Sequence, residues 1–315
     1  MELAELRPGP GFSAIKFIGY YSLRLVPWIS LRNCVARVIA FCVGVRNRDP
    51  SNVSSKPRTP AADRMLNELF ENGIAFCEPF PESHIADIRE YLHDKPMVSE
   101  DGRRFTEDNV PDDVRLATYP LKTIVDCPHL LELMNHAETL QIAHGYLRCR
   151  PTISSVRIDW SFPGGDKPQY VQRFHRDHDD WAFLKYFLYL TDVDDFSGPH
   201  EFVRGSHRSS ERRIGSEFYP EKEVDETFGL SNVIRIRGPK GTGFYEDTWG
   251  VHRGAMPSLG RRLMFQVQYS VLPIFKYNYK PIPLQSRMPI DTYVNRLLVS
   301  AAQTPALPTA AVAPT

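Results

Sequence analysis

The sequence of 315 residues has few cysteines, no net charge and no long apolar run. Its five cysteines are an odd number without any CxxC spacing, which argues against a disulfide framework or a zinc finger and indicates a reducing compartment. Lysine and arginine total 38, as do aspartate and glutamate, so no basic excess exists for a protein that works mainly by wrapping nucleic acid. Uncharged apolar stretches such as residues 38–45 are far below the roughly 18 residues of a membrane-spanning helix.

Residues 12–48 lack acidic side chains altogether, although they contain six basic and many aromatic or aliphatic ones. Such a segment is typical of an interfacial anchor on anionic lipid. The alternative is a pair of helices, broken at Pro27 and restarted with Ser30 as N-cap, that packs on the rest of the chain. A cleavable signal peptide fits poorly because arginines interrupt its apolar part. We expect a cytoplasmic protein, with peripheral membrane contact through residues 12–48 left open, and the oligomeric state undetermined.

Changes in composition divide the chain into four parts. Residues 47–59 are polar and contain proline and serine, as linkers do, and the last fifteen residues are low-complexity Ala, Pro and Thr. The predicted parts are a basic N-terminal extension with its linker (1–59), a main domain (60–275) with a helical part (60–150) and a barrel (151–275), a C-terminal extension (276–300) and a disordered tail (301–315).

Hydrophobic periodicity predicts helices first and short strands afterwards. The predicted helices run from Ala61 to a stop at Asn72-Gly73, from Pro81 to Leu92, and from Pro128 to Leu147. The predicted strands are Ile74–Cys77, Ile153–Phe162, Tyr186–Leu190, Val233–Ile236, Gly243–Tyr245 and Leu263–Val271. Many short strands at this spacing favour an all-β core with flanking helices, specifically a double-sheet barrel of the jelly-roll or cupin type. The region Asp94–Thr118 is a candidate lid.

The segment QRFHRDHDDW, residues 172–181, contains the spacing HxD. Side chains two residues apart on a strand point to the same face, so His175 and Asp177 can converge on one point. With one more histidine from a distant strand they would form the facial triad that suits Fe(II) with open coordination positions. The pattern alone is weak, since His178 and Asp180 repeat it.

A candidate for the third ligand lies further along the chain. His252 follows a predicted strand, and a turn with proline and glycine leads from it to a strand that opens with Arg261 and Arg262. An arginine on the adjacent antiparallel strand lies beside the metal, where its planar guanidinium can hold a carboxylate at two points. The pattern thus provides for a metal and a carboxylate in one cavity.

The segment QRFHRDHDDW, together with KYFLYLTDVDDFSGPHEFVRGSHR and GTGFYEDTWGVHRG…GRRLMFQVQYS, resembles the phytanoyl-CoA dioxygenase-like family of Fe(II)/2-oxoglutarate-dependent oxygenases. The resemblance covers roughly residues 61–275. It implies a double-stranded β-helix barrel buttressed by N-terminal helices, with iron held by His175, Asp177 and His252. It also implies that Arg262, rather than Arg261, holds the cosubstrate 2-oxoglutarate, with O2 as second cosubstrate.

The resemblance implies a dioxygenase that hydroxylates a C–H bond of a small-molecule or lipid-linked substrate and releases succinate and carbon dioxide. Further cosubstrate candidates on flanking strands are Gln172, Lys185 and Tyr189. Candidates for the substrate pocket, with core packing as the alternative, are Trp181, Phe183, Asp247 and Trp249. A binding or scaffold protein on the same barrel that no longer turns over is the alternative function, and a zinc hydrolase is a more distant one.

Overall fold

The computed structural model describes residues 2–3, 6, 12–26, 28–46, 57–165, 167–168, 170–210, 218–284 and 290–300. Pro27, most of the predicted linker and the predicted tail 301–315 lie outside the described residues. No helix in the described part of the chain is long and apolar enough to cross a membrane. The helices in that part are α1 (Ala14–Leu25), α2 (Ile29–Arg46), α3 (Pro60–Asn72), α4 (Glu82–His93), α5 (Leu121–Val125), α6 (Leu130–Asn135), α7 (Ala137–Leu147), α8 (Glu221–Phe228) and α9 (Thr292–Asn295).

Helix α3 shows how local sequence sets a boundary. Thr59 precedes it and its hydroxyl accepts a hydrogen bond from the backbone N–H of Ala62 at 3.1 Å, so a free donor of the first turn is satisfied. Pro60 stands at the first helical position, where its missing N–H costs nothing. At the other end Gly73 adopts φ +82°, and its N–H donates to the carbonyl of Leu69. A left-handed glycine of this kind ends many helices, as the sequence predicted here.

Two helix predictions were wrong in detail. Residues 128–147 form two helices, because His136 leaves the helical region with ψ 139° and begins α7 as its N-terminal cap. Ser30 is not an N-cap, since α2 already begins at Ile29.

The strands of the described residues pair antiparallel, except for the last two, which pair in parallel. Within the described residues the strands are β1 (Glu2–Leu3), β2 (Ile74–Phe76), β3 (Met97–Ser99), β4 (Arg104–Phe105), β5 (Leu116–Thr118), β6 (Thr152–Ser161), β7 (Phe174–His175), β8 (Phe183–Tyr189), β9 (His200–Val203), β10 (Phe218–Tyr219), β11 (Val233–Ile236), β12 (Gly243–Glu246), β13 (His252–Gly254), β14 (Arg262–Ser270), β15 (Tyr277–Asn278), β16 (Ile282–Pro283) and β17 (Val299–Ser300).

Two of the sheets form the barrel. The larger has the order β2-β12-β8-β14-β6-β5-β3-β4, and the smaller has the order β10-β7-β13-β9-β11. All neighbours in both sheets are antiparallel. The main apolar core, which includes Leu69, Leu92, Met134, Ile158 and Phe265, lies where the helices pack on the larger sheet. The predicted all-β core with flanking helices, of the jelly-roll type, is confirmed.

Residues 94–118, predicted as a lid, contain strands β3, β4 and β5, which extend the larger sheet beyond β6. Strand β5 pairs with β6, for example Ala117 with Trp160, and β3 and β4 follow in the same sheet, so all three are fixed to the barrel. The lid assignment stays a prediction, and the strands themselves were not predicted because they have too few residues to show a clear alternation. Val98 and Leu116 from this extension nevertheless line the central cavity.

Candidate metal centre and adjoining cavity

His175, Asp177 and His252 come together at one end of the smaller sheet. His175 ends β7 and His252 begins β13, and the two residues are directly paired across these strands. Asp177 lies just past β7, where its backbone N–H donates to the carbonyl of Thr248 at 2.9 Å. One potential ligand atom from each of the three residues lies within 4.8 Å of the others. The structure thus brings together the three residues that the sequence predicted as metal ligands.

Hydrogen bonds fix which nitrogen each histidine presents. Nδ1 of His175 lies 2.8 Å from the carbonyl of Arg173, and Nδ1 of His252 lies 2.9 Å from that of Gly250. A carbonyl can only accept, so each Nδ1 carries the proton and each Nε2 keeps a free lone pair. These Nε2 atoms lie 3.7 and 3.6 Å from the carboxylate of Asp177. Such a set of two imidazoles and one carboxylate fits Fe(II) with open positions.

The charges of these groups also suit a divalent cation. Burial raises the pKa of Asp177, but the nearby Lys185, His252 and His175 outweigh it and hold the pKa well below its ordinary value. Lys185 Nζ lies 2.6 Å from Asp177 Oδ2. Burial, together with His175, lowers the pKa of His252 well below its ordinary value. Asp177 is therefore anionic and His252 neutral at pH 7, the forms in which both residues bind a metal.

The three residues open into a cavity of about 540 Å³ between the two sheets. Its volume lies in the range typical of small-molecule sites. Its lining is mixed: charged and polar side chains lie beside Phe187, Met264 and Tyr277. Other polar residues of the wall are Ser99, Glu100, Thr118, Ser155, Arg157, Asp159, Ser161, Asp179, Lys185, His200, Arg262, Gln266, Gln268 and Lys276.

Arg262, the first residue of β14, lines this cavity and is 5% exposed. Its guanidinium donates to the carbonyl of Gly198 and, at 3.4 Å, to the hydroxyl of Ser161. Within the described part of the chain, Nε of Arg262 has no hydrogen-bond partner and no carboxylate lies within ion-pair distance of the guanidinium. Burial lowers the pKa of Arg262, although Tyr189 and Asp159 act in the opposite direction, which reflects the cost of burying a cation with no carboxylate at ion-pair distance in the described residues. An anionic ligand would remove that cost.

Arg261 has a different environment from its neighbour. Its side chain is half exposed, and its guanidinium lies 2.9 Å from the carboxylate of Glu107. The same carboxylate also pairs with Arg89. Arg261 is therefore already neutralised outside the cavity.

The three further cosubstrate candidates are placed differently. Lys185 lines the cavity and pairs with Asp177. Tyr189 shares its strand face, but its hydroxyl donates to the carbonyl of Ile236 at 2.9 Å and accepts from the N–H of His200 at 3.0 Å. Gln172 is buried in the turn before β7. Neither Tyr189 nor Gln172 lines the cavity, so the geometry favours only Lys185 as a cosubstrate contact.

Trp181, Asp247 and Trp249, predicted for the substrate pocket, do not line the cavity with the metal ligands. With Phe183 they line a second cavity, of about 370 Å³, beneath α2. Asp247 accepts a hydrogen bond from the hydroxyl of Tyr146 at 2.5 Å and one from the N–H of Trp249 at 3.0 Å. Their role as substrate contacts of the metal centre stays a prediction that this placement does not favour.

His178 and Asp180, the second HxD pair, make packing contacts and hydrogen bonds with the surrounding loop. Nδ1 of His178 lies 3.1 Å from the carbonyl of Arg176, and its ring packs edge-on against Trp249. The carboxylate of Asp180 accepts from the N–H groups of Trp181 and Leu272, each at 2.7 Å. These bonds hold the loop after β7 against the end of β14.

Asp180 is expected to make stability depend on pH. Burial raises its pKa from 3.8 to about 7, although hydrogen bonds from the backbone and the charge of Arg32 act in the opposite direction. Between pH 4 and 7 the folded protein therefore binds a proton that the unfolded chain has lost. As the pH rises over this range, the contribution of Asp180 to the free energy of unfolding should fall by about 1.4 kcal/mol per pH unit. Urea unfolding of the wild type and Asp180→Asn at pH 5, 6 and 7 measures this, and a difference between them that stays constant with pH contradicts it.

Sequence reasoning missed a buried pair beside the metal centre. His200 of β9 lines the cavity, and its Nε2 lies 2.9 Å from the carboxylate of Glu246 on β12. The imidazole ring of His200 lies 5.7 Å, centroid to centroid, from that of His252. Burial raises the pKa of Glu246 and lowers that of His200, because it disfavours the charged form of both groups. Sequence gives no signal for it, because its partners come from different sheets.

Comparisons with known proteins concern the fold. No protein-family model matches the chain, and no curated protein matches it. EctD from S. alaskensis, solved with bound Fe, is 18% identical, with 81% of this chain and 92% of that chain covered and a TM-score of 0.49. HygX from Streptomyces hygroscopicus, solved with nickel, 2-oxoglutarate and hygromycin B, is 15% identical, with 71% and 92% covered and a TM-score of 0.47.

A third solved structure is the epimerase SnoN in complex with Fe3+, alpha ketoglutarate and nogalamycin RO. It is 16% identical, with 66% of this chain and 83% of that chain covered and a TM-score of 0.47. These structural neighbours were thus solved with iron or nickel, and two of them with 2-oxoglutarate. At such low identity, function has to be argued from the residues of the site.

Proposed function

We propose that this protein is an Fe(II)/2-oxoglutarate-dependent dioxygenase that hydroxylates a C–H bond of a small-molecule or lipid-linked substrate. One observation carries the proposal: the triad of His175, Asp177 and His252 lines the same cavity as Arg262, a buried cation with no carboxylate at ion-pair distance among the described residues. A metal site and an anion site in one cavity are what an enzyme with a carboxylate cosubstrate needs. Membership of the phytanoyl-CoA dioxygenase-like family belongs to the same proposal.

Each residue has a defined task in this scheme. His175 and His252 would hold the metal through Nε2 and Asp177 through its carboxylate, while Arg262 would bind a carboxylate of 2-oxoglutarate. When bound, the metal with 2-oxoglutarate and O2 supplies the oxidising chemistry: one oxygen atom enters the C–H bond and the other enters succinate, as carbon dioxide leaves. Lys185, 2.6 Å from Asp177, keeps that carboxylate anionic and is a second candidate contact for the cosubstrate.

The polar lining bears on the substrate. Beside the apolar Phe187 and Met264, the cavity wall carries Ser155, Gln266 and Gln268, which can donate to or accept from a polar ligand. A substrate with both apolar and hydrogen-bonding parts suits such a wall.

Anaerobic titration of the metal-free protein with Fe(II) and 2-oxoglutarate tests the proposal directly. We expect a weak visible absorption band that needs both ligands, followed on admission of O2 by iron-dependent release of succinate measured by mass spectrometry. The band without O2-dependent succinate would favour the inactive binding protein. Absence of both would contradict the proposal. Metabolite profiling of a deletion strain, searching for a mass difference of one oxygen atom, would then identify the substrate.

A further inference from the structure

Helix α2 is apolar on the side that faces solvent. Its exposed positions include an apolar stripe with alternating spacings of three and four residues: Leu31, Cys34, Val38, Phe41 and Val45. Val38 is 58% exposed and Phe41 is 70% exposed. A helix on the surface of a globular protein normally turns a polar face to water. This stripe therefore requires an explanation.

The stripe is not the face through which α2 packs on the domain, because the opposite face of the helix is the buried one. Ala36 and Ala40 are buried there. The guanidinium of Arg32, also buried, lies 3.8 Å from the ring centroid of Trp249 and donates to the carbonyl of Asp180. These contacts fix the rotation of α2 about its axis. The exposed stripe is consequently a second apolar face.

Helix α1 and the residue just before α2 also expose apolar side chains. Ile15, Ile18 and Leu25 follow helical spacing on α1 and are 76%, 65% and 75% exposed, while Leu23 is buried. Trp28, between the helices, is 62% exposed. We call the stripe of α2 together with Ile15, Ile18, Leu25 and Trp28 the N-terminal apolar face. An exposed apolar surface of this extent on consecutive helices marks a contact site.

Charge decides between the occupants of this face. Residues 12–46 contain no acid, and Arg37 and Arg46 are exposed beside the stripe. A second copy of the chain would bring more cations against these arginines and supply no carboxylate from this segment. Anionic lipid headgroups would instead neutralise them while the apolar side chains enter the boundary of the acyl chains.

We propose that the N-terminal apolar face docks the protein on an anionic membrane surface, with α1 and α2 lying in the plane of the interface. Insertion across the bilayer is not involved, since neither helix is long and apolar enough. Eighteen residues of α2 give a contact roughly 27 Å long. The proposal is independent of the reaction assigned to the cavity.

Co-sedimentation of the full chain with lipid vesicles tests the docking. Vesicles of phosphatidylcholine with about 30% phosphatidylserine should bind the protein, whereas pure phosphatidylcholine should bind it at least about 10-fold more weakly. Raising the salt from about 0.05 to 0.5 M should weaken binding to the anionic vesicles several-fold. The double change Val38→Ser with Phe41→Ser should weaken it by about 10-fold or more, because two apolar side chains no longer enter the membrane.

Matched variants distinguish binding through this face from non-specific adsorption to the vesicles. Leu259→Ser removes an apolar side chain that is 78% exposed outside the N-terminal face, and it should leave vesicle binding unchanged. Arg37→Gln with Arg46→Gln should weaken binding to anionic vesicles, whereas Arg237→Gln, an exposed site on the barrel, should not. Absence of binding to the anionic vesicles at low salt would overturn the proposal. So would a dimer in sedimentation velocity that the double serine variant dissociates while vesicles bind neither protein.

Discussion

His175→Ala is expected to lower the affinity for Fe(II) by about 100-fold or more, whereas His178→Ala should leave it within a few-fold of the wild type. His175 Nε2 lies 3.7 Å from Asp177 with its lone pair free, so its loss leaves only two ligands. His178 is packed against Trp249 and holds the carbonyl of Arg176. The sequence alone offers both histidines in the same HxD spacing, and the two variants decide between them.

Anaerobic calorimetry with Fe(II) measures the two affinities. Thermal unfolding without metal serves as the control that each variant is folded, because both histidines are buried. Succinate release should follow the metal: it should vanish in His175→Ala and persist in His178→Ala. A folded His175→Ala protein that binds Fe(II) like the wild type would refute the assignment of the triad.

Arg262→Met is expected to weaken 2-oxoglutarate binding by about 100-fold or more, equivalent to roughly 2.7 kcal/mol. Arg261→Met is the matched control, because Arg261 is half exposed and paired with Glu107 outside the cavity. It should change binding by less than about two-fold. Titration of the iron-loaded protein, followed through the absorption band, gives both affinities.

Arg262→Met should not destabilise the ligand-free protein, although it weakens ligand binding. In the ligand-free protein Arg262 is a buried cation with no carboxylate at ion-pair distance in the described part of the chain, so replacing it with Met should leave the melting temperature unchanged or raise it. The wild type should instead gain stability when 2-oxoglutarate is added, and Arg262→Met should gain little. If 2-oxoglutarate stabilises Arg262→Met as much as the wild type, the anion site lies elsewhere.

Boundaries of single elements were predictable because they depend on neighbours in the sequence. Gly73 ends α3 as expected, and Val233–Ile236 is the strand that its alternation predicted. The break at His136 was missed because the apolar spacing continues across it in the sequence. The strands within residues 94–118 were not predictable, since they are two or three residues long and depend on pairing with one another and, through β5, with β6.

The order of the amino acids alone sets the HxD spacing, the later histidine and arginine, and the face that each side chain takes on its strand. Which of them meet was decided by the tertiary structure, through the pairing of His175 with His252 across β7 and β13. Tertiary structure also directed Tyr189 to backbone partners and Trp181 to the second cavity, and it joined His200 to Glu246 from 46 residues away. Alternation along a strand sets only the face of a side chain. The cavity that this face borders depends on how strands distant in the chain pair in the two sheets.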